Sequence, residues 1–132
     1  MANSAYGKGL EGYLDGSIDW DTNTMKAVLG DAADYTVNLT THDNLDDIAA
    51  GGRVATSSAL SSKTVTLGVA DAGDTTMSAV SGDQSEWIAI YKDTGVESTS
   101  RLSHYIDTAT GLPVTPTGGA ITIQWAASIF TL

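Results

Sequence analysis

Hydrophobic and polar residues alternate along much of the chain beyond residue 52, and this alternation predicts β-strands. KTVTLGVA is the most regular stretch, with Val65, Leu67 and Val69 predicted on one face of a single strand. EWIAIYKD is apolar on both faces, which is typical of a strand covered on both sides. The remaining predicted strands are MKAVLG, RVATSS, TTMSAV, RLSHYID, AITIQW and SIFTL.

Strands that follow one another at intervals of about ten residues, with turn residues between them, are typical of all-β folds. We therefore predict a mainly β fold, an antiparallel β-sandwich or barrel of about seven or eight strands with a short N-terminal helix and one short internal helix. The internal helix is predicted in THDNLDDIA, with Thr41 as its N-cap. The length corresponds to a single β domain over residues 1–132, in which residues 1–16 form a docking N-terminal segment.

The N-terminal segment has the spacing of an amphipathic helix, with Asn3 or Ser4 as its N-cap and Gly16 at its end. Three glycines between residues 7 and 12 interrupt it, and each costs roughly 1 kcal/mol relative to alanine in a helix interior. Because so marginal a helix needs support, we expect its apolar side to dock on the body of this domain or on a neighbouring subunit. This apolar side, the N-terminal stripe, consists of Tyr6, Leu10, Tyr13 and Leu14.

A second apolar segment is predicted at the surface. Leu112, Pro113 and Val114 lie within TATGLPVTPTGG, which has the proline and glycine content of a loop. Loops usually run over the surface, so these apolar side chains should be exposed. The sequence therefore predicts two partner-binding regions, the N-terminal stripe and residues 112–114.

The charge of the chain argues against a nucleic-acid partner. It carries 16 Asp and Glu against 6 Lys and Arg, a net charge of −10, and shows no basic stripe that could neutralise a phosphate backbone. The absence of cysteine excludes disulfides, thiolate catalysis and thiolate metal sites. No apolar run approaches the ~18 residues of a bilayer-spanning helix, and MANSAYGKGLEG lacks the features of a secretion signal. We expect synthesis in the cytoplasm and no membrane partner.

The segment SRLSHYID brings together the three residue types of a hydrolase triad, Ser103, His104 and Asp107. In a regular strand, Ser103, Tyr105 and Asp107 would share one face, and Leu102, His104 and Ile106 would share the other. A triad needs the serine and the aspartate within hydrogen-bond reach of the same imidazole, which this alternation forbids. The pattern therefore predicts that His104 is a half-buried histidine of a strand.

Acidic residues near His42 form the densest group of possible metal ligands. Asp43, Asp46 and Asp47 could offer oxygen atoms to calcium, although their spacing does not match an EF-hand loop. Carboxylates at the start of a short helix account for the same residues, because they interact favourably with a helix N-terminus. The two interpretations stay open.

Two further groups of residues have both a chemical and a structural interpretation. DGSIDWD contains Asp15, Asp19 and Asp21, which could act as acid and base if they faced one cleft, but the segment has the character of a turn before a strand. The three tryptophans are predicted to pack in the core or on a sheet, and if exposed on one face they would suit carbohydrate binding. They are Trp20, Trp87 and Trp125. We predict no catalytic residue, metal ligand or cofactor, and no enzyme activity.

The order of sequence segments along the chain resembles a family of small virion structural proteins of tailed bacteriophages. The resemblance covers nearly the whole chain and includes no catalytic motif. It rests on TMKAVLGDAADYTVNLTTHDNLDDI, RVATSSALSSKTVT, GVADAGDTTMSAV, WIAIYKDTG, RLSHYIDTATGLPVTPTGGAITIQW and IFTL. It implies a β-rich structural part that is repeated many times on a particle.

From this resemblance we expect a non-enzymatic capsid decoration or cement protein that binds the outer surface of the major capsid lattice and stabilises it. The expected partners are the major capsid protein and further copies of this chain, as a homotrimer. The expected location is the capsid surface of the virion. A tail- or baseplate-associated adaptor and a host-surface or glycan-binding β module are the alternatives.

Overall fold

The computed structural model describes residues 4–109, 111–125 and 128–131. These ranges contain one α-helix and ten β-strands, and the strands pair antiparallel. The helix α1 spans Gly7–Asp15, and the strands are β1 Ser4–Ala5, β2 Met25–Gly30, β3 Arg53–Thr56, β4 Thr64–Thr66, β5 Val69–Asp71, β6 Thr75–Met77, β7 Trp87–Lys92, β8 Leu102–Ile106, β9 Ile121–Ile123 and β10 Phe130–Thr131. The mainly β, antiparallel fold is confirmed. The sheets form a sandwich-like arrangement and not a closed barrel, and there are more strands than the seven or eight predicted.

A five-stranded sheet in the order β1-β8-β7-β2-β3 organises the fold, with two smaller sheets in the orders β10-β5-β4 and β6-β9. The central strand β7 is buried from Trp87 to Tyr91, which confirms the prediction that both of its faces are covered. One face contributes Ile88 and Ile90 to a first core, which includes residues of both smaller sheets. The other face contributes Trp87 and Tyr91 to a second core.

The N-terminal helix docks on β8 through its glycines. A Cβ atom on Gly9 would lie 2.6 Å from the carbonyl oxygen of Ser103, so only glycine allows this close approach. Gly12 is also buried, against Ile18. These glycines, which the sequence analysis counted only as a cost, therefore form the contact face of the helix. Gly16 ends the helix in a left-handed conformation, as predicted.

The predicted N-cap of this helix is wrong. Ser4 belongs to β1, which pairs with β8, and Tyr6 occupies the N-cap position without a side-chain cap. Asn3 lies outside the described residues. The amide of Tyr6 donates instead to the carbonyl oxygen of Ser103 at 2.9 Å, so the neighbouring strand satisfies it.

KTVTLGVA forms two strands and not the single strand predicted. β4 and β5 are joined by Leu67 and Gly68, whose φ angles of 51° and 80° are those of a type I′ hairpin turn. Leu67 is 97% exposed and Val65 is 55% exposed. The prediction failed because leucine is an unusual residue at a turn position that favours asparagine or glycine.

The predicted internal helix is shorter than expected. Leu45–Asp47 and Ala50–Gly52 are single 3₁₀ turns. Asn44, and not Thr41, is the N-cap of the first turn, and it forms a capping box with Asp47. Within the described ranges, no helix has the length and apolar character that crossing a membrane requires.

The predicted surface loop at residues 112–114 is only partly exposed. Pro113 is exposed, whereas Leu112 and Val114 are half-buried against the first core. The amide of Val114 donates to the carbonyl oxygen of Ser85 at 2.9 Å, and the reverse bond is 2.8 Å long. The loop is therefore attached to the body of the protein, and the expected exposure holds for Pro113 alone.

Replacing Gly9 with alanine should destabilise the protein by about 1–3 kcal/mol, because the added methyl group meets a backbone carbonyl that cannot rotate away. This loss exceeds the roughly 1 kcal/mol gained from the higher helix propensity of alanine. Gly51→Ala is the matched control, since no atom lies within 4 Å of its Cβ position. Urea unfolding of both variants checks this, and equal stabilities would contradict the close docking of α1.

Candidate functional site

A groove between α1 and β10 has a volume of about 490 Å³. Its size falls within the usual range of small-molecule pockets. Two strands at sheet edges, β1 and β10, border it. The α1–β10 groove is lined by Ser4, Ala5, Leu10, Leu14, His104, Ile106, Ile129, Phe130 and Thr131. These side chains are mostly apolar.

A β-bulge in β8 sets the direction of the side chains that reach this groove. Ile90 pairs with His104, and the next residue of β7, Tyr91, pairs with Leu102, so Ser103 is an extra residue. The bulge reverses the alternation at this point. Leu102 consequently packs in the second core, whereas His104 lines the groove. The predicted common face therefore holds for His104 and Ile106, which both line the groove, and is wrong for Leu102.

The bulge also brings Ser103 to His104, which the sequence analysis excluded. The Oγ atom of Ser103 lies 2.8 Å from Nδ1 of His104 and 2.8 Å from the hydroxyl of Tyr13. These three side chains form a continuous hydrogen-bonded chain. A regular strand would separate Ser103 from His104, and the extra residue removes that separation.

The geometry of this chain is that of a packing network. Ser103 is fully buried and does not line the groove, so its hydroxyl is out of reach of a molecule bound there. No carboxylate stands among the described residues that line the groove. The Ser103 hydroxyl instead provides a hydrogen-bond partner for the buried His104 and for the half-buried Tyr13.

His104 is more buried than the half-buried state predicted, with 6% of its surface exposed. Its ring stacks on Phe130 of β10, with ring centroids 3.7 Å apart and planes 18° apart. Burial lowers the pKa of His104 to about 4, because the charged imidazolium is poorly solvated there. The groove therefore presents a neutral imidazole at physiological pH.

The N-terminal stripe does not act as one surface. Tyr6 is fully buried in the second core, where its hydroxyl lies 3.0 Å from that of Tyr35. Tyr13 is half-buried and contacts Ser103. Leu10 and Leu14 are 41% and 88% exposed and form one wall of the groove. The partner-binding prediction for the stripe thus concerns the two leucines.

The hairpin of β4 and β5 lies beside the groove and was not predicted from the sequence. A smaller concavity of about 180 Å³ lies at its base, lined by residues that include Val65, Gly68 and Phe130. Because Phe130 lines both concavities, the hairpin and the groove belong to one side of the molecule. The two-residue spacing of Val65 and Leu67 gave no sign of the turn between them.

The acidic residues near His42 serve local structure. The carboxylate of Asp47 accepts the amides of Asp43 and Asn44, at 2.6 and 3.1 Å, which is the capping arrangement of a helical turn. Nδ1 of His42 accepts the amide of Asn38 at 3.2 Å and lies 2.8 Å from the hydroxyl of Tyr35. This geometry favours the interpretation as a helix start.

Other acidic residues approach one another. Ligand atoms of Asp31, Asp34 and Asp83 lie within 4.8 Å of each other, a grouping that the sequence hid because Asp83 is distant in the chain. In DGSIDWD, a hydrogen bond between the two carboxyl groups lowers the pKa of Asp19 and raises that of Asp21. Both carboxyl groups of that pair are exposed to water, which weakens their use as a catalytic pair.

The tryptophans pack in the interior, as predicted. Trp87 is fully buried and Trp20 nearly so, and Trp125 is half-buried with its indole N–H directed at Thr75. Trp20 and Trp87 therefore provide no exposed platform for a sugar ring. The feature that motivated the glycan-binding alternative is absent at these two positions.

Comparison with known proteins identified no relative. No protein-family model matches this sequence, and no curated protein is similar to it. The resemblance to phage virion proteins therefore rests on the order of sequence segments.

The stability of the protein should depend on pH through His104. Its pKa falls from 6.5 in the unfolded chain to about 4 in the folded chain, so between these values the unfolded state binds the additional proton. Stability is then greatest above about pH 6.5 and falls as the pH decreases, by up to about 3 kcal/mol near pH 4. Urea unfolding between about pH 7.5 and pH 4.5 measures this loss.

His104→Gln should show a smaller loss of stability over the same range, because it removes the titrating group. Carboxylates titrate in both proteins, so the difference between the two profiles isolates His104. Parallel profiles for the unmodified protein and His104→Gln would show that the imidazole is not buried in its neutral form.

Proposed function

We propose that this chain is a non-enzymatic structural protein of a bacteriophage virion, a decoration or cement protein that binds the outer surface of the major capsid lattice. In this role it self-associates as a homotrimer and stabilises the lattice by binding alone. The order of sequence segments supports the phage assignment. Exposed leucines on one side of the β-sandwich support the binding role.

These leucines are the observation on which the binding role depends. Leu14 and Leu67 are 88% and 97% exposed. Leu14 lines the groove, and Gly68, the neighbour of Leu67, lines the smaller concavity that shares Phe130 with it. Burying one leucine in a contact contributes about 1.5–3 kcal/mol. Repetition over a lattice multiplies a weak contact, because each additional site is engaged at high effective concentration.

Sheet edges offer a second kind of contact. β3 and β4 lie at the ends of their sheets among the described strands, and β4 is exposed along its length. Edge strands of this kind can pair with a strand of another protein. Short edges and a net charge of −10 limit unspecific association, so such pairing requires a matching surface.

A direct test mixes the purified protein with undecorated capsids, and separately with isolated tails, of the phage that encodes it. We expect saturable binding to capsids at fixed lattice positions, visible by cryo-electron microscopy. Saturable binding to tails alone would replace the capsid role with that of a tail or baseplate adaptor. Failure to bind either particle would contradict a virion role.

Leu14→Ser should weaken capsid binding by about 10- to 100-fold, which corresponds to the loss of one buried leucine. Pro113→Ser tests the second predicted contact region in the same way. Val96→Ser is the matched control, since Val96 is 55% exposed and lies in the connection between β7 and β8. Deletion of residues 2–14 is unsuitable, because it would remove the buried Tyr6. Equal affinities of all three variants would exclude both contact regions.

A further inference from the structure

Leu67 occupies a position that is unfavourable for leucine in two ways. Its φ angle of 51° lies in the left-handed region, where a side chain with a Cβ atom is strained. Its side chain is 97% exposed, so it gains almost no burial within its own chain. Asparagine or glycine would suit this turn better. Contact with another molecule would offset both costs, and an observed backbone outlier of this kind is grounds for seeking such a contact.

The α1–β10 groove offers a surface of the kind that Leu67 requires. Its volume of about 490 Å³ can receive the tip of a hairpin, and its walls include Leu10, Leu14 and Ile129. None of the described lining residues carries a charge at neutral pH, since His104 is neutral there. An exposed leucine could therefore enter without burying an unpaired charge.

A match in polarity and shape between two parts of the same chain points to a second copy as the source of the hairpin. Two copies that each carry a net charge of −10 repel one another, so a contact between uncharged surfaces is opposed less than one between acidic surfaces. Residues 64–70, TVTLGVA, contain no charged side chain, and neither do the described walls of the groove. The two surfaces are thus matched in polarity, and one projects while the other is concave.

The sheet edges fit the same pairing. β10 is one end of the three-stranded sheet and a wall of the groove, and β4 is the opposite end of that sheet and part of the hairpin. A hairpin that enters the groove of a second copy would bring these two edges, each the end of its sheet among the described strands, towards each other. Edge pairing between copies could then add main-chain hydrogen bonds to the apolar contact.

We propose that the Leu67 hairpin of one copy inserts into the α1–β10 groove of a second copy. The contact joins two different surfaces, so it is heterologous and closes into a ring when the rotation between copies allows. It specifies the residues of the self-association included in the proposed function, and through that assembly Leu14 and Leu67 contribute to binding on the lattice. It does not depend on whether the assembled protein binds a capsid or another particle.

Leu67→Asn separates assembly from folding. Asparagine followed by Gly68 is a preferred pair for a type I′ turn, so the melting temperature of the variant should not fall. Analytical ultracentrifugation should show that the unmodified protein self-associates, and that Leu67→Asn weakens this by on the order of 10- to 100-fold in dissociation constant. Val96→Asn, at an exposed apolar residue outside the hairpin and the groove, should leave self-association unchanged.

Disulfide trapping tests the contact itself, because the chain has no cysteine of its own. Leu67→Cys and Leu14→Cys are prepared as separate proteins, mixed and oxidised. A mixed disulfide dimer should form in greater yield than from Val96→Cys with Leu14→Cys. Equal yields from the two mixtures would overturn the insertion of the hairpin into the groove.

The outcomes also separate this contact from the proposed capsid role. Self-association that is lost in Leu67→Asn supports the contact even if the protein binds no capsid. A protein that stays monomeric at about 100 µM, or an unchanged assembly of Leu67→Asn, overturns it. If the protein is monomeric and Leu67→Asn loses capsid binding, the hairpin contacts the capsid, and the proposed function stands while the contact between copies fails.

Discussion

The burial of β7 on both faces is the constraint on which the rest of the structure depends. Ile88 and Ile90 on one face and Trp87 on the other are inaccessible to water, so each face requires its own covering layer. The smaller sheets cover the first face, and the segment containing Tyr35 and Ile48 covers the second. The packing is close enough that a Cβ atom on Gly30 would overlap the indole ring of Trp87. This two-sided core holds β8 in place, and β8 positions the groove.

Ser103 connects this core to the surface. Its carbonyl oxygen accepts the amide of Tyr6, and its backbone touches Gly9 of α1. Its hydroxyl joins Tyr13 to His104. Ser103, the extra residue of β8, thus contacts the start, the middle and the end of α1. The helix α1 carries two leucines of the groove wall. By positioning α1, Ser103 therefore determines the shape of the groove, although Ser103 does not line it.

The parts of the fold that the sequence predicts are those with a strong local pattern. EWIAIYKD is apolar at successive positions, and only burial on both faces accounts for that. The bulge at Ser103 has no such pattern, because it is defined by the register of β8 against β7, and register is a property of two strands. The turn at Leu67 was missed for the opposite reason, since its leucine continues a regular alternation into a position that turn chemistry disfavours.

The candidate site was predictable only in its separate parts. Leu10 and Leu14 were identified from helical spacing, whereas Phe130 and Ile129, which complete the groove, are more than 100 residues away in the chain. His104 was correctly assigned to a strand, but its neutral state follows from burial that only the tertiary structure supplies. Contacts between residues so far apart in the chain leave no recognisable pattern in a single sequence.

Net charge limits what the exposed apolar residues of this protein can contact. At an ionic strength of about 0.1 M, repulsion between charged molecules extends over roughly 10 Å, so it opposes the approach of two acidic copies in most orientations. An orientation that places an uncharged hairpin against an uncharged groove avoids the further cost of desolvating charges at the contact. The acidic surface therefore makes association selective for uncharged, matching contacts. Apolar contacts such as those of Leu67 can form with a matching surface, while indiscriminate aggregation through the same residues is opposed by charge.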